Sequence, residues 1–181
     1  MALYFGLALW LLVLLNTVIL MKHIKFVSKV NEMISKAPER RTVLHGTEKG
    51  IPVEGQIPVT QVNGVELFKQ SKSRTLLLFT AIGCKSCNGL YPILKTLTQK
   101  YPDTHIVVFM RGNQKDIDEK IQEHLINVPV VQLEDEFIEQ AKIQSFPFAY
   151  ILGSDNKVLG KAVITLPEHL DELYSRTIER R

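Results

Sequence analysis

The apolar positions of this chain change rhythm along its length. From Ala2 to Met21, "ALYFGLALWLLVLLNTVILM", they run almost without a break: twenty residues carry no charge, and only Asn16 and Thr17 interrupt as polar residues. At about 1.5 Å per helical residue such a run spans a hydrocarbon core of roughly 30 Å, so it predicts a transmembrane helix over 2–21. A cleaved signal peptide would need a basic leading region, an apolar stretch of only about 7–15 residues and small residues at the cleavage site. No Lys or Arg precedes this run and "LMKHIKF" offers no small pair, so a retained anchor is the expectation. Ile24, Val27, Val30 and Ile34 then keep helical spacing, which continues the helix along the membrane surface until Pro38 stops it. Residues 22–50 therefore read as a juxtamembrane helix and linker, and 51–181 as a folded domain.

Within that domain the apolar runs are short and alternate in type. "IPVTQVNGVELF" has two short runs around Asn63-Gly64, the dipeptide suited to a two-residue hairpin turn because both positions tolerate positive φ. "TLLLFTA" (Thr75 to Ala81) and "HIVVFM" (His105 to Met110) are continuous apolar runs, as expected of strands covered on both faces. Between them the pattern predicts a helix from the cysteines to about Lys100. "QKDIDEKIQEHL" reads as a solvated helix, "VPVVQL" as a short strand or turn and "EDEFIEQAKI" as a further helix. "PFAYIL", the turn "GSDN" and "KVLGKAVI" form an antiparallel hairpin, and "PEHLDELYSRTIE" a closing helix with Pro167 in its first turn. The predicted order is β-α-β-α-β-β-α with a short helical insertion, preceded by a hairpin.

Charge changes the picture in one respect. The net charge of +3 divides into seven basic and three acidic side chains over residues 1–50, and fifteen basic and sixteen acidic over 51–181. The basic excess thus lies beside the apolar run, where Lys22, Lys25, Lys29 and Lys36 can meet anionic headgroups. The folded part is near neutral, with no Lys/Arg stripe interleaved with aromatics, which argues against nucleic acid as a partner.

The two cysteines, Cys84 and Cys87, carry the candidate chemistry. If Cys84 opens a helix, Cys87 lies one turn later, within the roughly 4.4–6.8 Å Cα separation a disulfide requires. Unpaired N–H groups at the helix start, and the charge of Lys85, favour the thiolate of Cys84, and thiolate is the attacking form. That makes Cys84 the expected attacking sulfur and Cys87 the one that resolves a mixed disulfide. Structural zinc would want four ligands, but no third cysteine exists and the five histidines are scattered. Covalent haem attachment needs His after the second cysteine, where Asn88 stands. No metal or cofactor is therefore expected. Inert thiols or a purely structural bond remain open, although a loop this short restrains little chain entropy.

The stretch "LLLFTAIGCKSCNGLYPIL" resembles the redox site of thioredoxin-like proteins: a buried strand runs into "GCKSC" at a helix start, and Pro92 follows eight residues after Cys84. Pro147 in "QSFPFAYIL" matches the family's cis proline opposite the active-site disulfide. With its preceding hairpin and N-terminal anchor, the chain is most similar to membrane-anchored proteins of the TlpA and methylamine-utilisation (MauD) type. The resemblance implies a thioredoxin-like α/β fold, a central mixed sheet flanked by helices. It also implies exchange of thiols and disulfides with a client protein that has cysteines, often an exported or cofactor-bearing one, and a redox partner that recycles the pair. By the same resemblance Pro92 kinks the active-site helix, while Pro147 and the backbone of Phe146 line the client groove. A non-catalytic docking or chaperone module on the same fold is the rival from another class, and a peroxidase a weaker one, with Thr80 as the only nearby hydroxyl.

Three positions depart from the family pattern: Gly83 replaces the Trp before the first cysteine, Leu78 the buried proton-relay Asp, and Phe146 the usual Thr or Val. Loss of the carboxylate removes general-base assistance to Cys87, which fits a specialised exchange partner better than a general reductase. On the side of the membrane two signals conflict. Lys22, Lys25 and Lys29 follow the apolar run, and by the positive-inside rule they put the domain in the cytoplasm. The related families place it outside, where disulfides persist, and the extracytoplasmic side is taken as the expectation.

Overall fold

The apolar run and its continuation form one unbroken helix, α1 (Ala2–Ser35). The protein is seen here as a computed structural model that describes residues 2–35, 44, 46–69 and 71–178, and within α1 the side chains of Gly6, Trp10 and residues 14–29. Val30 and Ile34 as side chains, and the expected stop at Pro38, lie outside the described residues. Among the described residues no helix is long and apolar enough to cross a membrane. The side chains at 2–5, 7–9 and 11–13, which carry much of the apolar run, are not among them. Those that are described, including Trp10, Leu14, Leu15 and Val18, are exposed. The chain divides into two compact units, residues 1–41 and 42–181.

The second unit is built on strands whose side chains alternate between two apolar layers. In β3 (Arg74–Ala81), Leu76 and Leu78 enter one layer while Leu77 and Phe79 enter the other. β4 (Thr104–Arg111) divides in the same way, with Ile106, Val108 and Met110 on one side and Val107 and Phe109 on the other. Period-two geometry with both faces covered is why these strands read as continuous apolar runs. Together with β5 (Val130–Gln132), β6 (Phe148–Gly153) and β7 (Val158–Val163) they form a five-stranded sheet in the order β5-β4-β3-β6-β7. β3, β4 and β5 are parallel; β6 and β7 join antiparallel.

Helices α2 (Lys85–Asn88), α3 (Tyr91–Lys100), α4 (Gln114–His124) and α6 (Pro167–Ile178) supply the first layer, with Cys87, Leu94, Ile117 and Leu173 among their buried side chains. The second layer is closed by α5 (Asp135–Gln140), by the segment around Ile51 and Ile57, and by Leu67 after the hairpin of β1 (Gln61–Val62) and β2 (Val65–Glu66). Phe79 stacks on Phe109 at 5.0 Å there, and Phe137 of α5 lies tilted against both rings. The hairpin turns where its sequence expects, with Asn63 at φ 48° and Gly64 at φ 78°.

Two elements differ from expectation. The helix predicted from the cysteines to Lys100 is two helices, separated at Gly89 and Leu90. Pro92, expected to kink one helix, stands in the first turn of α3. Its nitrogen has no hydrogen to give to the carbonyl four residues back, and its ring crowds that carbonyl, so the break falls just before it. In the segment read as linker, Leu44 is buried in the first layer and Gly46 closes a turn with Lys49 at 3.0 Å.

Candidate functional site

The cysteines sit where β3 ends. Ala81 is the last residue of the strand, and three residues later Cys84 is the N-cap of α2, with extended backbone (φ −75°, ψ 110°). Between them Gly83 takes φ +77°, a left-handed conformation that a Trp would adopt only at a cost. A Cβ built there meets nothing within 4 Å, so the backbone conformation, and not crowding, favours glycine. The turn is held by the Ile82 N–H on Arg111 O at 2.8 Å and the Cys84 N–H on Ala81 O at 3.2 Å.

Cys84 and Cys87 are joined as a disulfide with Cα atoms 5.3 Å apart. They differ in solvation: Cys84 is partly exposed, whereas Cys87 is fully buried. The Cys84 Sγ accepts a hydrogen bond from the Cys87 N–H at 3.3 Å. That single donation is the helix-end contribution that remains, because α2 has only four residues and cannot build the dipole of a long helix. Lys85 is exposed and has no ion pair among the described residues.

Leu78 is fully buried in the same apolar layer as Cys87, so no carboxylate stands at that position. Thr80 is also buried, and its hydroxyl donates to Phe109 O at 3.2 Å on the neighbouring strand. Across the sheet, Phe79 pairs with Phe148, which places Pro147 and Phe146 at the end of the sheet that carries the cysteines. The Phe146–Pro147 bond is cis. Pro147 O accepts from the Ile164 N–H at 3.0 Å, while the backbone N–H and C=O of Phe146 have no partner among the described residues. The Phe146 side chain is half-buried and packs against both apolar layers. One member of this site had no counterpart in the sequence reading. Tyr91, fully buried, donates its hydroxyl to Ala81 O at 3.3 Å, on the carbonyl that also receives the Cys84 N–H. Its only signal was an aromatic residue directly before Pro92.

Strand order, a cis proline beside a two-cysteine turn and helices on both faces define a thioredoxin-like α/β protein. A methylamine utilization protein, MauD, of Methylophilus methylotrophus is 23% identical over 100 residues, 55% of this chain and 47% of its own length. The chain thus spans about half the length of that curated relative. The crystal structure of the thioredoxin domain of a thiol-disulfide oxidoreductase from Bacteroides vulgatus superposes with a TM-score of 0.59 at 20% identity, covering 72% of this chain and 97% of that one. A thiol:disulfide interchange protein from a Bacteroides species gives a TM-score of 0.50 at 23% identity, covering 73% and 83%. No protein-family model matches the chain.

Proposed function

We propose that this protein is a membrane-anchored thiol:disulfide oxidoreductase that exchanges disulfides with a client protein. The observation that carries the reading is the asymmetry of the pair: a partly exposed Cys84 whose sulfur accepts the Cys87 N–H, bonded to a fully buried Cys87. In the reducing direction the Cys84 thiolate attacks one sulfur of a client disulfide. The client S–S bond breaks, a Cys84–client disulfide forms, and the client's other sulfur leaves as thiolate and takes a proton. Cys87, deprotonated, then attacks Cys84 Sγ, closing the internal disulfide and releasing the client's remaining sulfur. Two electrons pass from the pair to the client, and the oxidising direction is the same sequence reversed.

The free backbone of Phe146 beside cis-Pro147 suits pairing with an extended client strand near Cys84. Lys85 adds positive charge next to the attacking sulfur. A separate redox partner recycles the pair. The anchor is supported by the uncharged run within α1 and by the exposed apolar side chains along it, which need lipid or a partner to cover them. Resemblance to the anchored families favours the extracytoplasmic side for residues 51–181 and an exported or cofactor-bearing client.

The test is the Cys87→Ser variant of the full chain expressed in membranes. It should accumulate a Cys84-linked client adduct that a reductant releases, while Cys84→Ser forms none. Good expression without any adduct counts against the proposal. A variant with both cysteines changed to serine that still supports the cellular function would instead favour a docking module. Resistance to alkaline carbonate extraction tests the anchor, and reporter fusions at Arg181 test the side: one active only in the cytoplasm overturns the extracytoplasmic assignment.

A further inference from the structure

Once the disulfide opens, covalent bonding no longer holds Cys84 Sγ against the Cys87 N–H, and its place depends on the turn from Ala81 to Cys84. On the cysteine side that turn has few constraints. Ile82 N–H is held on Arg111 O at 2.8 Å, but beyond it Gly83 stands at φ +77°, where a built Cβ meets nothing within 4 Å, and the Cys84 N–H to Ala81 O bond at 3.2 Å closes the turn. A carbonyl oxygen has two lone pairs, and the second on Ala81 is used by the Tyr91 hydroxyl at 3.3 Å. Tyr91 is itself firmly placed: it opens α3, is fully buried, and its ring lies 5.4 Å from that of His124 on α4.

We infer that Tyr91 is a positioning residue of the redox turn, its hydroxyl fixing the Ala81 carbonyl so that the Cys84 sulfur of the reduced protein stays in line with the Cys87 N–H. The inference rests on the oxidoreductase reading and deepens it. The hydroxyl touches neither sulfur; it acts through the carbonyl it shares with the Cys84 amide. Its effect is greatest on the thiolate, because a charged sulfur gains more from an N–H donor than a disulfide sulfur does. Loss of the hydroxyl should therefore raise the thiol pKa of Cys84 and weaken the reduced form relative to the oxidised one. Burial raises the Tyr91 phenol, against opposing contributions from Thr80 and the charge of Lys120, so it remains a donor while thiols titrate. The charged or titratable groups facing this turn from the elements around it include Lys85 beside Cys84, His124 on α4 and, on β4, Arg111, which pairs with Ala81 and is itself bonded to Asp135.

Tyr91→Phe keeps the ring and removes only the donor. A purely structural hydroxyl would cost thermal stability and leave the thiol chemistry unmoved. A positioning hydroxyl shifts the Cys84 titration, read from thiolate absorbance, upward, and shifts the equilibrium with glutathione about threefold toward the disulfide, about 14 mV at 29.6 mV per tenfold. Site-specific 3-fluorotyrosine at position 91, a stronger donor of nearly the same shape, should move the titration the opposite way and keeps the test alive if the Phe variant fails to fold. Titrations and equilibria equal to wild type in both variants overturn the inference. If instead the unmodified protein has no thiolate below the ordinary cysteine range and exchanges no disulfide, the oxidoreductase reading itself fails.

Discussion

Tyr150→Phe should destabilise the domain out of proportion to the single atom removed. The Tyr150 hydroxyl is buried and joins two backbone groups: it donates to Ala141 O at 2.8 Å and accepts the Ile51 N–H at 2.6 Å. One contact pins the segment before β1 onto the sheet. The other fixes the end of α5, where the chain turns toward Phe146 and Pro147. Without the hydroxyl, an N–H and a C=O are left without this partner, each costing about 1–3 kcal/mol, and the smaller desolvation of Phe offsets part, for a net loss of about 2–4 kcal/mol. For a domain of this size that lowers Tm by about 6–15 °C. The assay is thermal unfolding at neutral pH, with a second measurement in base. Burial, partly opposed by the Ile51 N–H, pushes the Tyr150 phenol up from 10.0 to about 12. A raised folded-state pKa means that the stabilisation is complete below the unfolded value and is lost as pH rises from 10 through 12, about 2–3 kcal/mol in all. The variant should lack that share of the alkaline loss, while Tyr91 and Tyr101, whose phenols are also raised, keep theirs. A Tm within about 2 °C of wild type would show that Ile51 and Ala141 find other partners, and would refute the reasoning.

The other predictions concern the redox turn and the hairpin. Gly83→Ala should cost roughly 1–2 kcal/mol in thermal unfolding, because the left-handed backbone sets the penalty and an added Cβ meets nothing within 4 Å; a loss well above that range would mean that the turn is crowded. Lys85→Glu should raise the Cys84 thiol titration of the reduced protein by about half a unit at low salt and by less at high salt, as expected of an exposed charge next to the sulfur; a salt-independent change would contradict this. His105 is buried and bonded to Glu66 O at 3.1 Å, and burial holds its pKa below 6.5 against the opposing bond to Glu66. Its stabilisation is present above the unfolded pKa and is lost as pH falls below about 6.5, so His105→Gln should flatten the acid limb of the stability–pH curve, and an unchanged slope would count against it.

What the sequence could show follows from the range of the interaction. β3 and β4 were legible because covering both faces of a strand leaves a continuous apolar run, and the hairpin because Asn63 and Gly64 take the positive φ that their types accept. The Cys84–Cys87 spacing is equally local. The division of the helix that follows Cys84 was not legible in full: Pro92 announces a disturbance, but where the turns re-form depends on packing, with Leu90 and Tyr91 both fully buried. Leu44 falls in the segment read as linker, and only the folded chain supplies the layer that takes it. Lys161 would be placed by alternation on a solvated face, yet it is buried, with its ammonium 3.4 Å from Gly50 O, because the segment around Gly50 passes nearby. The bond from Tyr91 to Ala81 crosses ten positions and exists only once α3 is laid against the end of β3.

The chemical consequence of Leu78 follows from the same layer. Cys87 is fully buried and shares its apolar surroundings with Leu78, so no carboxylate at that position is available to take its proton. On the proposed reading, resolution of the mixed disulfide then depends on a thiol whose charged form is disfavoured by burial. That slows the second attack, which lengthens the life of the covalent complex once the client's departed thiol is too far away to reverse the first. A long-lived complex suits a dedicated partner held beside the membrane more than rapid turnover of many substrates. On the same reading the half-buried ring of Phe146 would add to that selectivity, because a client strand paired with its backbone would have to fit against the ring.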